Sequence, residues 1–478
     1  MISSGNRTPE SRALAAIPTL LGALALGASL LAPRAAGAGD WVTFVDETAS
    51  RIVADPEVGV SDVQEKDYAV GDVDQDGDED LIVVRKTPFT NAGGFRNVLF
   101  MNEGGVMTDR TATLALDFLD ATDDRDVELA DVDDDGWLDI VTAGTFGEQP
   151  RILMNLGRDG AGPWQGFEYQ SNRLPVLISP LGAGPKFCGL GVGDVTGNDR
   201  PDLYFSDYEN DMEDRLLIND GFGFFTDETA TRLTPTMVDS TFGTDADIAD
   251  VNGDGFNDII KNNASGTVGG DGGPTPAAEG GLSPAVVILY NDGTGNFTSF
   301  DAVATAAPYM VAHADFTQDD RLDLFVVDDG QDSYLINTGN NGSGHAVFTT
   351  QQVSPSPATN FFGGNVSFAD LDRDGILDVL VSDVDTDIEG CSRRLVLLQG
   401  QGQPPAVTYS DPLGGATRPW MPNGTFDVAV MHIDNDNALD LWIGTCTGTL
   451  VFMGIDDSFV FGAGFEAGDT SEWSATVP

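Results

Sequence analysis

Short apolar runs alternate with acidic turns along most of the chain, and the alternation repeats. Seven nine-residue strings of one kind recur: DVDQDGDED from Asp72, DVDDDGWLD from Asp131, DVTGNDRPD from Asp194, DVNGDGFND from Asp250, DFTQDDRLD from Asp315, DLDRDGILD from Asp370 and HIDNDNALD from His432. Their starts lie 59, 63, 56, 65, 55 and 62 residues apart, a steady period with uneven loops. A strand-like run precedes each string, as in Tyr68-Ala69-Val70-Gly71 or Val366-Ser367-Phe368-Ala369. An apolar run comes after it, as in Leu81–Val84, Leu324–Val327 or Val379–Val381. A third run ends in Asn or Gly (Val98–Asn102, Leu216–Gly221), and a fourth reads Phe-x-Asp-x-Thr (Phe225–Thr229). Four strands per period is the signature of a propeller blade. Seven periods predict an all-β, seven-bladed propeller.

Closure of the ring leaves its own trace. Phe44–Ile52 nearly duplicates Phe225–Leu233, yet no blade precedes it. It is expected to be the outer strand of the seventh blade, supplied by the opposite end of the chain and covering an otherwise exposed edge. Phe459-Val460-Phe461 is the competing outer strand.

The repeated string carries chemistry. In Asp-x-Asp-x-Asp-Gly-x-x-Asp, side chains at positions 1, 3, 5 and 9 and the carbonyl at 7 converge on one hard cation. Gly at 6 permits the left-handed turn that brings them together. Oxygen-only ligation suits Ca2+, and seven copies in period weigh against simple solvated turns. The first loop offers Asp72, Asp74, Asp76, Asp78 (carbonyl) and Asp80; the second Asp131, Asp133, Asp135, Trp137 (carbonyl) and Asp139. The sixth offers Asp370, Asp372, Asp374, Ile376 (carbonyl) and Asp378, and the fourth Asp250, Asn252, Asp254, Phe256 (carbonyl) and Asp258. These four are intact. The fifth has Asp315, Thr317, Asp319, Arg321 (carbonyl) and Asp323, with Asp320 at the turn. The third keeps Asp194, Thr196, Asn198 and Asp202 with Asp199 at the turn; the seventh keeps Asp434, Asp436 and Asp440 behind His432, with Asn437 at the turn. Asp and Asn tolerate the left-handed conformation, so loop shape can survive there while affinity falls with charge. EF-hand and dockerin readings fail, because position 12 is Val83, Thr142, Phe205, Lys261, Val326, Val381 or Ile443 and the flanks are strands.

Composition agrees. Lys plus Arg is 23 against 77 Asp plus Glu, a formal charge of −54, which excludes nucleic-acid and anionic-membrane binding and favours divalent metal as a partner. Hydrophobic residues make up 41%, enough for a core, so acidity does not imply disorder.

Arg7 and Arg12, the apolar run Ala13–Ala32 and the small-residue exit Ala36-Gly37-Ala38 read as a signal peptide cleaved near Ala38. The mature chain is expected to be exported and not membrane-spanning, with a propeller over 41–455 and a tail over 456–478. Part of that tail, Gly464–Asp469 with Trp473 beyond it, is similar to the opening of bacterial jelly-roll modules. Cys391 and Cys446 fall between the second and third strands of neighbouring blades, on one face, and are expected to pair; Cys188 is expected to remain a buried thiol.

The loops and their flanking strands resemble the FG-GAP/VCBS-type repeats of the integrin α-subunit propeller superfamily. The resemblance covers about 41–455. It implies Ca2+ loops joining the first and second strands of seven blades, and an extracellular adhesion, binding or scaffold role. The degenerate loops and the insertion Gly266–Gly281 depart from the pattern. Fold is better fixed than function by such a likeness.

Five residues before the strings stand Asp67, Asp126, Asp245, Asn365 and Asp427, with Gly189 and Met310 in the third and fifth blades. Five strand residues span about 16 Å, which places this partial ring at the channel mouth opposite the calcium loops, unless it is a set of strand-entry turns. A cationic ligand or bridging ion would suit it. His313 replaces an apolar residue and reads as packed. No Gly-x-Ser-x-Gly-type signature occurs. Three function classes are compatible with these features. The first is a non-enzymatic calcium-stabilised module binding a protein or glycan through its loop-rich face; the others are a polysaccharide lyase or hydrolase using mouth carboxylates and His313, and a structural spacer.

Overall fold

A computed structural model describes residues 41–455, apart from residues 90, 179–181, 183, 209–212, 239–242, 264–284, 305–307, 329–331, 354–363, 383–390, 392–393, 413–417, 419 and 435. The stretch read as a signal peptide, the Gly266–Gly281 insertion, Phe459–Phe461 and the tail over 456–478 lie outside the described residues.

Seven antiparallel sheets stand in chain order as seven blades. Blade 1 runs Glu65–Gly71, Asp80–Lys86, Val98–Asn102 and Met107–Asp109, and Ile52–Val53 adds a fifth, parallel strand at its outer edge. Blade 2 is Asp124–Ala130, Asp139–Gly144, Arg151–Asn155 and Phe167–Tyr169; blade 3 is Phe187–Gly193, Asp202–Asp207, Arg215–Asn219 and Phe225–Asp227. Blades 4 to 6 start at Ala246–Ala249, Pro308–Ala314 and Val366–Ala369. Blade 7 is Thr425–Met431, Asp440–Thr445 and Gly448–Gly454, and its outer strand is Phe44–Asp46, in register with Phe452–Gly454. The N-terminal segment therefore closes the ring, as its sequence duplication predicts.

The duplicated segments also fold alike after the strand. Thr48–Arg51 and Thr229–Arg232 are each one short helical turn, and the Phe-x-Asp-x-Thr pattern is strand only through Asp. Asp46 and Asp227 turn the chain by accepting hydrogen bonds from Thr48 and Thr229, backbone and hydroxyl both.

Seven apolar cores hold the ring, one at each contact between neighbouring blades. The second strand of a blade is covered on both faces, which is why it reads as an unbroken apolar run rather than an alternating one. In blade 1, Leu81 and Val83 enter the core shared with blade 7, while Ile82 and Val84 enter the core shared with blade 2. Every repeated string lies between the first and second strands of its blade, so the seven loops share one rim.

Candidate metal centres and the axial carboxylates

Position 9 opens each second strand, and its carboxylate is inaccessible: Asp80 is 1% exposed and Asp139 is 0%. Asp139 Oδ2 accepts the amide of Val132 (3.1 Å) and Oδ1 that of Asn155 (2.7 Å). Asp80, Asp202, Asp258, Asp323, Asp378 and Asp440 do the same in their own blades. One side chain thus ties the loop to the third strand in all seven blades. The tied residue is Gly400 in blade 6 and Gly454 in blade 7; in the other five it is an Asn, a residue the sequence marks only as a run terminus, and it bonds onward to the preceding blade. Asn155 Nδ2 donates to Val73 O (2.8 Å), Asn219 to Val132 O (2.8 Å), Asn291 to Val195 O (2.7 Å), Asn337 to Val251 O (2.9 Å) and Asn102 to Ile433 O (3.0 Å).

Position 1 shapes the loop. Asp131 accepts the amides of Asp135 (3.1 Å) and Gly136 (2.8 Å), and Asp72 those of Asp76 (3.0 Å) and Gly77 (3.1 Å). Ligand atoms of Asp72, Asp74 and Asp80 lie within 4.8 Å of one another, as do those of Asp131, Asp133 and Asp139, and of Asp370, Asp372 and Asp374. Three oxygens of like charge at that spacing suit one hard cation.

Burial pushes the position-9 carboxyls up: Asp80, Asp139 and Asp378 to about 8, with backbone amides pulling the other way and neighbouring loop carboxylates adding to the rise. In the metal-free protein the folded state therefore keeps protons that the unfolded chain releases near its ordinary carboxylate value. Such stability is full below that value and is lost as pH rises through the folded value. In chelator, the melting temperature should fall between pH ~5 and ~8; a cation held by these carboxylates would displace the protons and flatten or reverse the slope. A chelator melt that rises across this range would contradict burial as the cause.

The degenerate loops close on themselves. His432 Nδ1 lies 3.0 Å from Ala438 O, linking position 1 to the position-7 carbonyl directly. Thr317 Oγ1 donates to Asp323 Oδ2 (2.8 Å), and the Arg321 guanidinium pairs with Asp319, a contact that the motif, which uses only the Arg321 carbonyl, does not predict. Thr196 Oγ1 donates to Asp194 Oδ1 (3.3 Å). Asp199 (φ 60°) and Asp320 (φ 65°) do adopt the left-handed turn in place of Gly.

A second left-handed residue, at position 4, is unannounced by sequence. Among the described residues it is glycine in loops 3 and 4 (Gly197, Gly253), and Gln75 (φ 58°), Asp134 (φ 60°), Gln318 (φ 54°) and Arg373 (φ 58°) in loops 1, 2, 5 and 6. This conformation aims the side chain at the next loop. Gln75 donates to Gly136 O (2.7 Å), Gln318 to Gly375 O, and Asp134 pairs with Arg200 (2.8 Å).

The ring of position −5 residues is not an open mouth. Asp67, Asp245 and Asp427 are 5%, 7% and 1% exposed, with Asp126 half-buried. Nor are Asp67, Asp126 and Asp427 entry turns, since they lie inside their strands. A bulge immediately before Asp126, Gly189, Met310 and Asp427 breaks the strand register and re-aims the residues beyond it. Asp67 Oδ2 accepts the amide of Val127 in blade 2 (3.1 Å), Asp126 Oδ2 that of Leu190 in blade 3 (2.8 Å), and Asp245 Oδ2 that of Val311 in blade 5 (2.9 Å). These carboxylates clasp each blade to the next. His313 Nδ1 sits 3.1 Å from Asp247, inside the wall.

Cys391 and Cys446 form a disulfide with Cα atoms 6.0 Å apart, tying blade 6 to blade 7, and Cys188 is a buried thiol. No helix among the described residues is long and apolar enough to cross a membrane.

Residues 315–381, from the loop of blade 5 through the second strand of blade 6, match the family model described as an FG-GAP-like repeat. No curated protein sequence matches the chain. Among solved structures, the chain is similar to an Agrocybe aegerita lectin described as recognising non-reducing terminal N-acetylglucosamine, at 15% identity over 83% of this chain and 90% of that one (TM-score 0.45). It is similar to the N-terminal part of BBS1 in complex with ARL6 at 9% identity over 86% and 96% (TM-score 0.46). It is also similar to the V. cholerae biofilm matrix protein Bap1 at 12% identity over 87% and 92% (TM-score 0.41).

Proposed function

We propose that this FG-GAP-type propeller is an exported, non-enzymatic binding module, held together by Ca2+ in the loops of blades 1, 2, 4 and 6. The observation that carries this reading is the gathering of three carboxylates within 4.8 Å in each of loops 1, 2 and 6, all on one rim. Loop 4 keeps the same frame, with Asp250 accepting the amides of Asp254 (3.1 Å) and Gly255 (2.8 Å). When bound, calcium neutralises the loop carboxylates; the chain's own part is to fix the loop through positions 1, 6 and 9.

Binding belongs to the opposite face, where the second and third strands connect. Connections such as 87–94 and 208–214 differ in length and composition from blade to blade, and variable loops on a rigid scaffold are where recognition concentrates. Support for a non-catalytic role comes from how the axial groups are spent. Asp67, Asp126 and Asp245 hold neighbouring blades, and His313 is engaged by Asp247. Basic side chains of this face are likewise committed to packing: Lys86 pairs with Glu65 (3.0 Å) and Arg151 with Asp124 (2.6 Å).

A glycan and secreted-protein array, probed with and without chelator, tests the reading. Calcium-dependent retention of a protein or glycan that is recovered unmodified is the expected outcome. Turnover of a retained polysaccharide would replace it with an enzymatic one.

A further inference from the structure

The seven blades do not end alike at the perimeter of the ring. A free outer strand invites another strand to pair with it, and in six blades that edge is guarded. In blade 1 it is taken by Ile52–Val53. Blades 2, 3 and 7 end in strands of only three residues. The first two of these are also capped, Tyr169 N donating to Asp117 Oδ2 (2.9 Å) and Phe225 N to Arg173 O (2.8 Å). Blade 4 ends in Phe297–Ala304, which carries Asp301 and breaks register twice. Blade 6 ends in Ala406–Ser410, which Pro404 and Pro405 directly precede.

Blade 5 is the exception among the described residues. Its outer strand, Ala346–Gln352, has seven residues and is the last strand of its sheet. It holds no charged residue and no proline, and it keeps unbroken register with the strand Ser333–Asn340 from Phe348 to Gln352. Val347 is 41% exposed, and the neighbours Thr349 and Thr350, which point to opposite faces, are both exposed. Alternate residues of such a strand turn their N–H and C=O groups outward. The strand is also fixed at both ends. His345 lies with Nδ1 2.9 Å from Asp301 and Nε2 3.1 Å from Ser299, its ring stacked on Tyr290 (centroids 4.0 Å apart), and Ala346 N donates to the Tyr290 hydroxyl (3.1 Å). At the far end Val353 N donates to Asp332 O (3.1 Å). An edge held in place this way loses little freedom on pairing.

Charge decides what can come to this edge. Residues 333–369 contain no Asp, Glu, Lys or Arg, although 21% of the chain is charged and its formal charge is −54. A basic partner is drawn to the acidic surface elsewhere, whereas a second copy of the chain is repelled by that surface and meets no repulsion at a neutral strip. We propose that two copies pair antiparallel along Ala346–Gln352, about a two-fold axis at Thr349. That register sets Thr349 opposite its own copy, Phe348 opposite Thr350 and Val347 opposite Gln351. Thr–Thr and aromatic–β-branched neighbours are favourable across strands, and a two-fold contact uses the same patch on both chains. The contact lies on the perimeter, so both rims of each ring stay free and the pairing does not depend on what either rim binds.

Sedimentation equilibrium of the protein in calcium, over a range of protein and NaCl concentrations, tests the pairing. A dimer should form as protein concentration rises, and it should strengthen with salt, which screens the repulsion between two acidic chains. Thr349→Lys sets like charges face to face across the axis and should leave only monomer, with the melting temperature of the wild type. If that variant does not fold, Thr350→Lys charges the same edge and should cause the same loss. A wild type that stays monomeric at every concentration and salt overturns the proposal. So does a dimer that the lysine variant leaves intact, one that salt dissociates, or an assembly larger than two.

Discussion

Chelation with EDTA should lower the melting temperature of this protein by roughly ten degrees. A ligand bound only by the folded state adds about 2.7 kcal/mol per site at a hundredfold excess over Kd. Four such sites on a chain of this size correspond to a shift of that order. Asp135→Ala and Asp199→Ala then separate the two causes of loop stability. Asp135 is position 5 of an intact loop, near Asp133 and Asp131, and burial and those neighbours already push its carboxyl up. Its removal should cost several degrees in calcium and nothing in EDTA, where it relieves repulsion. Asp199 holds a left-handed turn at φ 60°, so its replacement should cost a smaller amount that is the same with and without metal. Melting curves of both variants in both buffers decide this, and an unchanged wild-type melt in EDTA sinks the calcium reading.

Asp139→Ala is expected to be the more damaging substitution in chelator. The side chain is fully buried and accepts Val132 N and Asn155 N, so truncation strands two buried amides. Leaving a buried donor unmade costs ~1–3 kcal/mol, giving for two of them a loss of roughly 2–6 kcal/mol that persists after metal is removed. Urea unfolding in EDTA measures it. If Asp139→Ala proves no worse there than Asp135→Ala, position 9 is only a metal ligand and not a structural tie.

The blades, their loops and the closing strand were legible because each repeats a local pattern. Tyr68–Gly71 before Asp72, Leu81–Val84 after it and the copy of Phe225–Leu233 at Phe44–Ile52 are all short-range signals. Pairing of Cys391 with Cys446 was legible from their places on equivalent connections of adjacent blades. The features that escaped depend on contacts and backbone irregularities that the repeated pattern does not encode. Gln75 and Gln318 do not look like left-handed residues, and only their reach to Gly136 and Gly375 in the next loop accounts for the conformation. The axial aspartates were placed by counting strand residues, which takes no account of the bulges that precede Asp126 and Asp427. His432 looked like a lost ligand, yet its ring takes over a loop-closing contact to Ala438. A reach to the next loop, a strand bulge or a loop-closing ring contact overrode the residue's ordinary preference in these places.

Division of the rim into metal-held and self-closed loops is the central claim. It is tested most directly by an anomalous difference map from crystals grown in calcium and then exchanged into a lanthanide. Peaks are expected within the loops that begin after Ala130, Ala369, Gly71 and Ala249, and none beside His432 or Thr196. A map lacking density at Asp131, Asp133 and Asp139, or one with seven equal peaks around the rim, would contradict it.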